Sequence, residues 1–248
     1  MNLDNQIAET PLKKVYKDGN TIIKVYNENI DKEVVLKEAL NQARIERTNI
    51  NIPKVLGVNM IDNKWAIIME CIAGKTLRQL IKENPSKEKE YIDLMIDTQL
   101  SILNEKCPLL SLLKDKFKTK INESDFSSSI KYELLARMET SSNHTKVCHG
   151  DINVDNVMID DNGKVFILDW SHATQGNASA DAARSFLLIK LDGNDELAKY
   201  YINEFARKSG IDKTLIEKWI PVCAATQLMK KIPQEREVLE EMVNVVDY

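Results

Sequence analysis

Polar and apolar residues alternate over short stretches in the first third of the chain. Val15 and Tyr16, then residues 21–26, flank Asp18-Gly19-Asn20, a composition that favours a hairpin turn between two strands. Ile22, Lys24 and Tyr26 share one face of the second strand, so the Lys24 ammonium points where apolar neighbours point. That is costly unless a partner or ligand charge meets it; the alternative is an edge lysine whose head reaches back to water. Asp31 is placed as the N-cap of a helix through Glu33, Val35, Glu38, Ala39 and Ala43 to about Thr48, before Ile52-Pro53. Glu38 shares a stripe with Val34, Val35 and Gln42, which turns it toward the sheet and within reach of Lys24; otherwise it is a boundary residue of an amphipathic helix. Two more strands are expected at 55–58 and 65–69, around Asp62-Asn63.

The stretch "MECIAGKTL" leads into a helix whose Thr76 and Gln79 form a capping-box pattern. Its "AGKT" is not a phosphate-binding Walker loop, because the glycine that motif needs five residues before Gly74 is Met69. From there helical periodicity dominates, with expected helices at 89–104, 127–140, 181–189, 195–208, 215–229 and 235–245. A small β-rich part, a hinge near 70–74 and a larger helical part make an α+β, two-lobe layout, divided as 1–72 and 73–248.

One hairpin interrupts the helices, in "VCHGDINVDNVMIDDNGKVFILDW". Val157 and Ile159 alternate, 165–168 is an apolar run, and Asn162-Gly163 is a strong two-residue turn signal. That turn would set Asn156 directly opposite Asp169, with their Cβ atoms about 4.5–5.5 Å apart. Two hard oxygen ligands at the open end of a hairpin suit Mg²⁺, which takes one or two protein oxygens beside substrate phosphates. Asp151, in the loop entering the hairpin, could face the same phosphate and accept a proton from a hydroxyl. Singly, each of the three is as well explained as a turn or strand-end residue bonding its own backbone.

Composition narrows the field. The 248 residues are 43% hydrophobic, enough for a core, and the net charge of −4 disfavours a nucleic-acid binder. Four cysteines form no CxxC pair and three histidines show no zinc-ligand spacing, so free thiols in a reducing cytoplasm are expected. No apolar run approaches the roughly 18 residues of a membrane span, and the N-terminus lacks a signal-peptide pattern.

His149-Gly150-Asp151 followed by Asn156, then Asp169, has the order and the Asp-to-Asn spacing of a kinase catalytic loop and its metal-binding strand. With "ADAAR" at 180–184, Lys24 in "TIIKVY", Glu38 in "LKEAL" and "IIMECIAGKTL" at the hinge, nearly the whole chain resembles the aminoglycoside phosphotransferase and choline kinase-like family of small-molecule kinases. The resemblance implies a protein-kinase-like fold and transfer of the ATP γ-phosphoryl group to a small hydroxyl compound. Asp151 would be the base, and Asn156 and Asp169 would hold Mg²⁺. Lys24, held by Glu38, would contact the phosphates, and main-chain groups of Glu70 and Ile72 would meet the adenine. Asp181 would brace the catalytic loop. The pattern departs in two places: the loop over the phosphates, Ala8 to Lys14, has no glycine, which leaves GTP open beside ATP, and only eleven residues separate Asp169 from Asp181, with Gly150 where protein kinases carry Arg. The second departure disfavours an atypical protein kinase. The first suggests a nucleotide-binding pseudokinase, against which the intact Asp151, Asn156 and Asp169 weigh. Neither nucleic acid nor membrane is expected as a partner.

The last stretch, from Pro233 on, carries Glu235, Glu237, Glu240, Glu241 and Asp247 against Arg236. It is either the solvated face of an amphipathic helix or an acidic wall that would favour an amino sugar or amino alcohol as acceptor.

Overall fold

The computed structural model describes residues 2–243. The early alternation becomes strands β1 (Gln6–Glu9), β2 (Lys13–Asp18) and β3 (Thr21–Tyr26), with Gly19 at φ 55° opening the turn between the last two. Helix α1 (Lys32–Ile45) follows, then β4 (Val55–Ile61) and β5 (Lys64–Glu70), giving an antiparallel sheet in the order β1-β2-β3-β5-β4. Tyr26 and Ile67 pack with Val35 and Ala39 of α1, while Ile23, Val25 and Ala66 bury the opposite face. Asp31 stands at the N-cap of α1 but makes no side-chain cap bond. The helix stops at Ile45, short of Thr48, because the Thr48 hydroxyl and N–H both take the Ile45 carbonyl, at 2.7 and 2.9 Å.

After β5 come β6 (Gly74–Thr76) and α2 (Leu77–Glu83). The capping box forms: Thr76 N–H donates to Gln79 Oε1 at 2.8 Å, and Gln79 N–H donates to Thr76 Oγ1 at 3.3 Å. Gly74 is needed for packing, since a Cβ there would collide with the backbone of Ile159 and Asp160. The helical part then holds α3 (Glu88–Leu103), α4 (Leu113–Glu123) and α5 (Ser128–Glu139). Short strands β7 (Lys146–Cys148), β8 (Val157–Asp160), β9 (Val165–Ile167) and β10 (Thr174–Gly176) precede α6 (Ala178–Leu191), α7 (Asp195–Ser209), α8 (Lys213–Glu217), α9 (Ile220–Leu228) and α10 (Arg236–Val243).

Two expectations for the helices fail. Residues 215–229 are not one helix, because Pro221 in the first turn of α9 cannot donate backward and forces a restart. Helix α4 was not foreseen, although Leu113, Phe117 and Ile121 are buried at every fourth position. The end of the expected helix at 235–245 lies outside the described residues.

The chain forms two compact units. One comprises the residues up to Glu83 together with Asp155–His172, so the sheet β6-β8-β9 belongs with the five-stranded sheet. Asn51 ties them, its carbonyl accepting from Ile167 N–H at 2.9 Å and its amide donating to Val165 O at 3.1 Å. The second unit, Asn84–Val154 and the described residues from Ala173 on, is mainly helical. Its core includes Ile92, Met95 and Ile96 of α3, Leu187 of α6, and Tyr201 and Phe205 of α7, with Phe117 edge-on to Trp219 at 6.4 Å between centroids.

Candidate active site

In the sheet unit four charged side chains converge. Lys24 Nζ lies 2.7 Å from Glu38 Oε1 and 3.7 Å from Asp169 Oδ2. Lys13 Nζ, from the first residue of β2, lies 2.9 Å from both Glu38 oxygens and 3.2 Å from Asp169 Oδ2. Lys13, Lys24 and Glu38 are 8%, 7% and 6% exposed, so the two ammonium and two carboxylate groups must compensate one another. Burial alone would push the Lys24 ammonium down and both carboxyls up, but the opposed charges prevail. Lys24 is held above its ordinary value, Glu38 below the usual carboxylate range, and Asp169 well below it. Tyr26 lies under the cluster, where burial and the Glu38 charge raise its phenol, and Lys13 Nζ sits 5.4 Å from its ring centroid.

Asp169 has φ 54°, a left-handed conformation uncommon outside glycine, and its Oδ1 accepts from Ser171 N–H at 3.3 Å. The expected register of its hairpin is corrected. The turn uses three residues, with Gly163 at φ 82° and Asp160 Oδ1 accepting from Asn162 and Lys164 N–H at 2.9 and 2.7 Å. Val157 therefore pairs with Ile167, and the Asn156 carbonyl accepts from Leu168 N–H at 2.8 Å, so Asn156 stands opposite Leu168 and not Asp169. At the hinge, Glu70 N–H is already donated to Lys54 O at 2.9 Å. Any main-chain contact of Glu70 with a ligand therefore falls to its carbonyl.

In the helical unit the loop after β7 carries Asp151. Gly150, at φ 78°, turns the chain in a way an arginine would resist, which explains the glycine at this place. Asp181, 2% exposed in the first turn of α6, accepts from Gly150 N–H at 2.7 Å and from Gln99 Nε2 at 2.8 Å. Gln99 Oε1 in turn accepts from the Tyr201 hydroxyl at 2.6 Å. The brace expected of Asp181 is present, and it extends through α3 to α7. Arg184, one turn further along α6, places Nη2 3.3 Å from Asp151 Oδ1 and Nε 3.3 Å from Gly150 O. Asp151 keeps a side-chain exposure of 23%, so it is both anchored and open to solvent.

A sequence model of the phosphotransferase enzyme family matches residues 14–214. The chain belongs to that family. As a phosphotransferase it is an ATP-dependent kinase with an alcohol group as acceptor. Solved structures like it include a thermostable mutant of aminoglycoside phosphotransferase APH(4)-Ia in ternary complex with AMP-PNP and hygromycin B, with TM-score 0.69, 15% identity, and 96% of this chain and 90% of that one covered. Another is aminoglycoside-3'-phosphotransferase of type VIII, with TM-score 0.62, 16% identity, and 91% and 92% covered. A third is APH(3'')-Id from Streptomyces rimosus in complex with ADP and streptomycin, with TM-score 0.64, 16% identity, and 91% and 93% covered. At such identities the likeness shows the fold, and the fold is the protein-kinase-like one expected. No curated protein matches the sequence.

Two residues of this phosphotransferase received no role from the sequence. Arg184 stood inside the quoted "ADAAR", and Lys13 inside the loop segment 8–14. For Lys13 the signal was available: the hairpin around Gly19 pairs Val15 with Lys24 and Lys13 with Tyr26, which puts both lysines on one face.

Proposed function

We propose that the phosphotransferase moves the ATP γ-phosphoryl group to a hydroxyl of a small amine-bearing acceptor, an amino sugar or amino alcohol. The observation that carries this is the Lys24–Glu38–Asp169 cluster in a chain whose Asp151 and Asn156 keep the kinase spacing. Lys24, fixed by Glu38, draws charge from the nucleotide phosphates, and the Glu70 carbonyl and Ile72 main chain meet the adenine. Asp151, oriented by Arg184, accepts the proton of the acceptor hydroxyl as its oxygen bonds to the γ-phosphorus and ADP leaves. In this reading residues 1–72 hold the nucleotide, and 73–248 supply the catalytic loop, the metal hairpin and the acceptor surface.

The residues present fit Mg²⁺. Asp169 stays ionised, because the Lys24 and Lys13 charges outweigh burial and hold its carboxyl well below the usual carboxylate range, and Asn156 offers an amide oxygen. Among the described residues no three His, Cys, Asp or Glu side chains gather to hold an ion by themselves. Mg²⁺ accepts such a sparse protein share because phosphates and water complete its shell. Bound there, it would neutralise charge on the transferring group.

The acceptor class is supported by α10, where Glu237, Glu240 and Glu241 line a groove with Pro233 and Arg236. Hygromycin B and streptomycin in the similar structures point the same way. Asp247 of the acidic stretch lies outside the described residues. All four cysteines are free, three of them buried, and no described helix is long and apolar enough to cross a membrane. Both features suit the cytoplasmic setting included in this proposal. The test is ADP release across amino sugars, choline-like alcohols, neutral sugars and nucleosides. Turnover confined to uncharged or anionic acceptors would remove the amine, and no turnover with any hydroxyl compound would count against the acceptor classes proposed.

A further inference from the structure

Lys13 has no counterpart in the roles assigned above, yet it is as buried as Lys24 and touches the same two carboxylates. One carboxylate balances one ammonium. Glu38 accepts from both lysines, so among the described residues the second positive charge is balanced by Asp169, at 3.2 Å from Lys13 and 3.7 Å from Lys24. In the proposed function Asp169 turns its oxygens to a metal. A buried ammonium would then lose its counter-charge, a costly state unless another anion takes the place.

The backbone fixes where Lys13 stands. Lys13 ends the loop between β1 and β2, and the loop is pinned rather than loose. Thr10 N–H donates to Lys13 O at 2.9 Å, Asn27 N–H donates to Leu12 O at 2.9 Å, and Asn27 Nδ2 donates to Pro11 O at 2.8 Å. Residues 10–12 contain no glycine, so this loop lacks the freedom with which a Gly-rich turn folds its N–H groups around phosphates. It presents instead a side-chain cation held from below by Glu38 and the Tyr26 ring.

We infer that Lys13 is a second phosphate-binding lysine. It supplies from β2 the positive charge that glycine-loop N–H groups would otherwise supply, and it exchanges Asp169 for a nucleotide phosphate oxygen on binding. This inference rests on the assignment of Lys24, Glu38 and Asp169 to the nucleotide phosphates. It predicts that the protein distinguishes ATP from adenosine through two lysines on adjacent strands.

The experiment is calorimetric binding of ATP, ADP and adenosine, with Mg²⁺ and with EDTA, to the full chain and to Lys13→Met, Lys13→Arg and Lys24→Met. Methionine keeps much of the stem against Tyr26 and removes the charge. Lys13→Met should weaken ATP about tenfold or more, as loss of a charged hydrogen bond does, with adenosine changed less than about twofold. Lys13→Arg should recover most of the loss. If Lys24→Met lowers the ATP-to-adenosine ratio and Lys13→Met does not, the inference fails and the site assignment stands. If neither lysine alters the ratio, the assignment itself is wrong. Should Lys13→Met not fold, the unmodified protein can be treated with an acyl phosphate of ATP, whose electrophile sits at the γ-phosphate. Acylated Lys13 supports the inference, and acylation of Lys24 alone overturns it.

Discussion

Asp151 is held by Arg184 at 3.3 Å and by a loop whose Gly150 N–H is fixed on Asp181, so its carboxylate has little freedom to lose when substrate arrives. Asp151→Asn keeps that shape and removes the proposed base. Turnover should fall about 10²–10⁴-fold, the usual share of general-base catalysis, while calorimetric ATP affinity stays within about twofold. Near-normal turnover would move the proton to another group. Lys24 and Glu38 form the complementary case, because in the proposed function Glu38 acts through the lysines it pairs with. Lys24→Ala should raise the ATP KM and lower kcat, Glu38→Ala should do so less, and the double variant should fall short of their sum. Strict additivity would mean that Glu38 does not position Lys24. Both residues were legible in the sequence, since alternation aimed Lys24 inward and the helical stripe aimed Glu38 toward it. Lys13 was legible only by pairing the two strands about the Gly19 turn, because its facing depends on hairpin register, a fact about two strands together rather than about either one.

At the scale of elements, what the sequence left uncertain was where local bonding decides between neighbouring alternatives. Asn162-Gly163 announced a turn, but Asp160 captures the N–H groups of Asn162 and Lys164 and makes it a three-residue one. That shifts the pairing by one and places Asn156 beside Leu168. Pro221 split a helix that periodicity alone had joined, and α4 hid its stripe of Leu113, Phe117 and Ile121 among lysines. The ends of α5 and α7 were legible because apolar spacing and polar caps agree there, Ser127 Oγ accepting from Ile130 N–H and Asn194 Oδ1 from Leu197 N–H, while α3, whose N-cap Lys87 makes no side-chain cap bond, was legible from apolar spacing alone. Least visible was the buried line from Tyr201 through Gln99 and Asp181 to Gly150, which joins α7, α3 and α6 to the loop that carries Asp151. Tyr201→Phe removes only the hydroxyl and leaves Gln99 Oε1 without that donor. Urea unfolding should show a loss of about 1–3 kcal/mol, the cost of an unsatisfied buried polar group. An unchanged midpoint would mean that the line carries no stability.

For the whole molecule, 38 acidic against 34 basic residues leave a net charge of −4, too small for general self-repulsion to dominate its response to acid. The Lys13–Lys24–Glu38–Asp169 cluster should matter more, because it balances only while both carboxylates are ionised. Both carboxyls are held below their ordinary values in the fold, Glu38 moderately and Asp169 strongly. A group with a depressed folded value binds its proton more readily when unfolded. Its contribution is therefore complete above the unfolded values, about 3.9 for Asp and 4.3 for Glu, and disappears as pH falls through the lower folded ones. Melting of the nucleotide-free, metal-free protein should accordingly change little from pH 7 to about 5 and fall steeply below about 4. Exposed carboxylates contribute to that fall, so the decisive comparison is with Lys13→Met/Glu38→Gln, which removes one charge of each sign and leaves Lys24 facing Asp169. The double variant should lose less stability between pH 5 and pH 3 than the unmodified chain, because one of its two depressed carboxyls no longer titrates. Parallel melting curves against pH would show that Glu38 has ordinary acidity and that its buried ion pair with the two lysines does not govern the acid response.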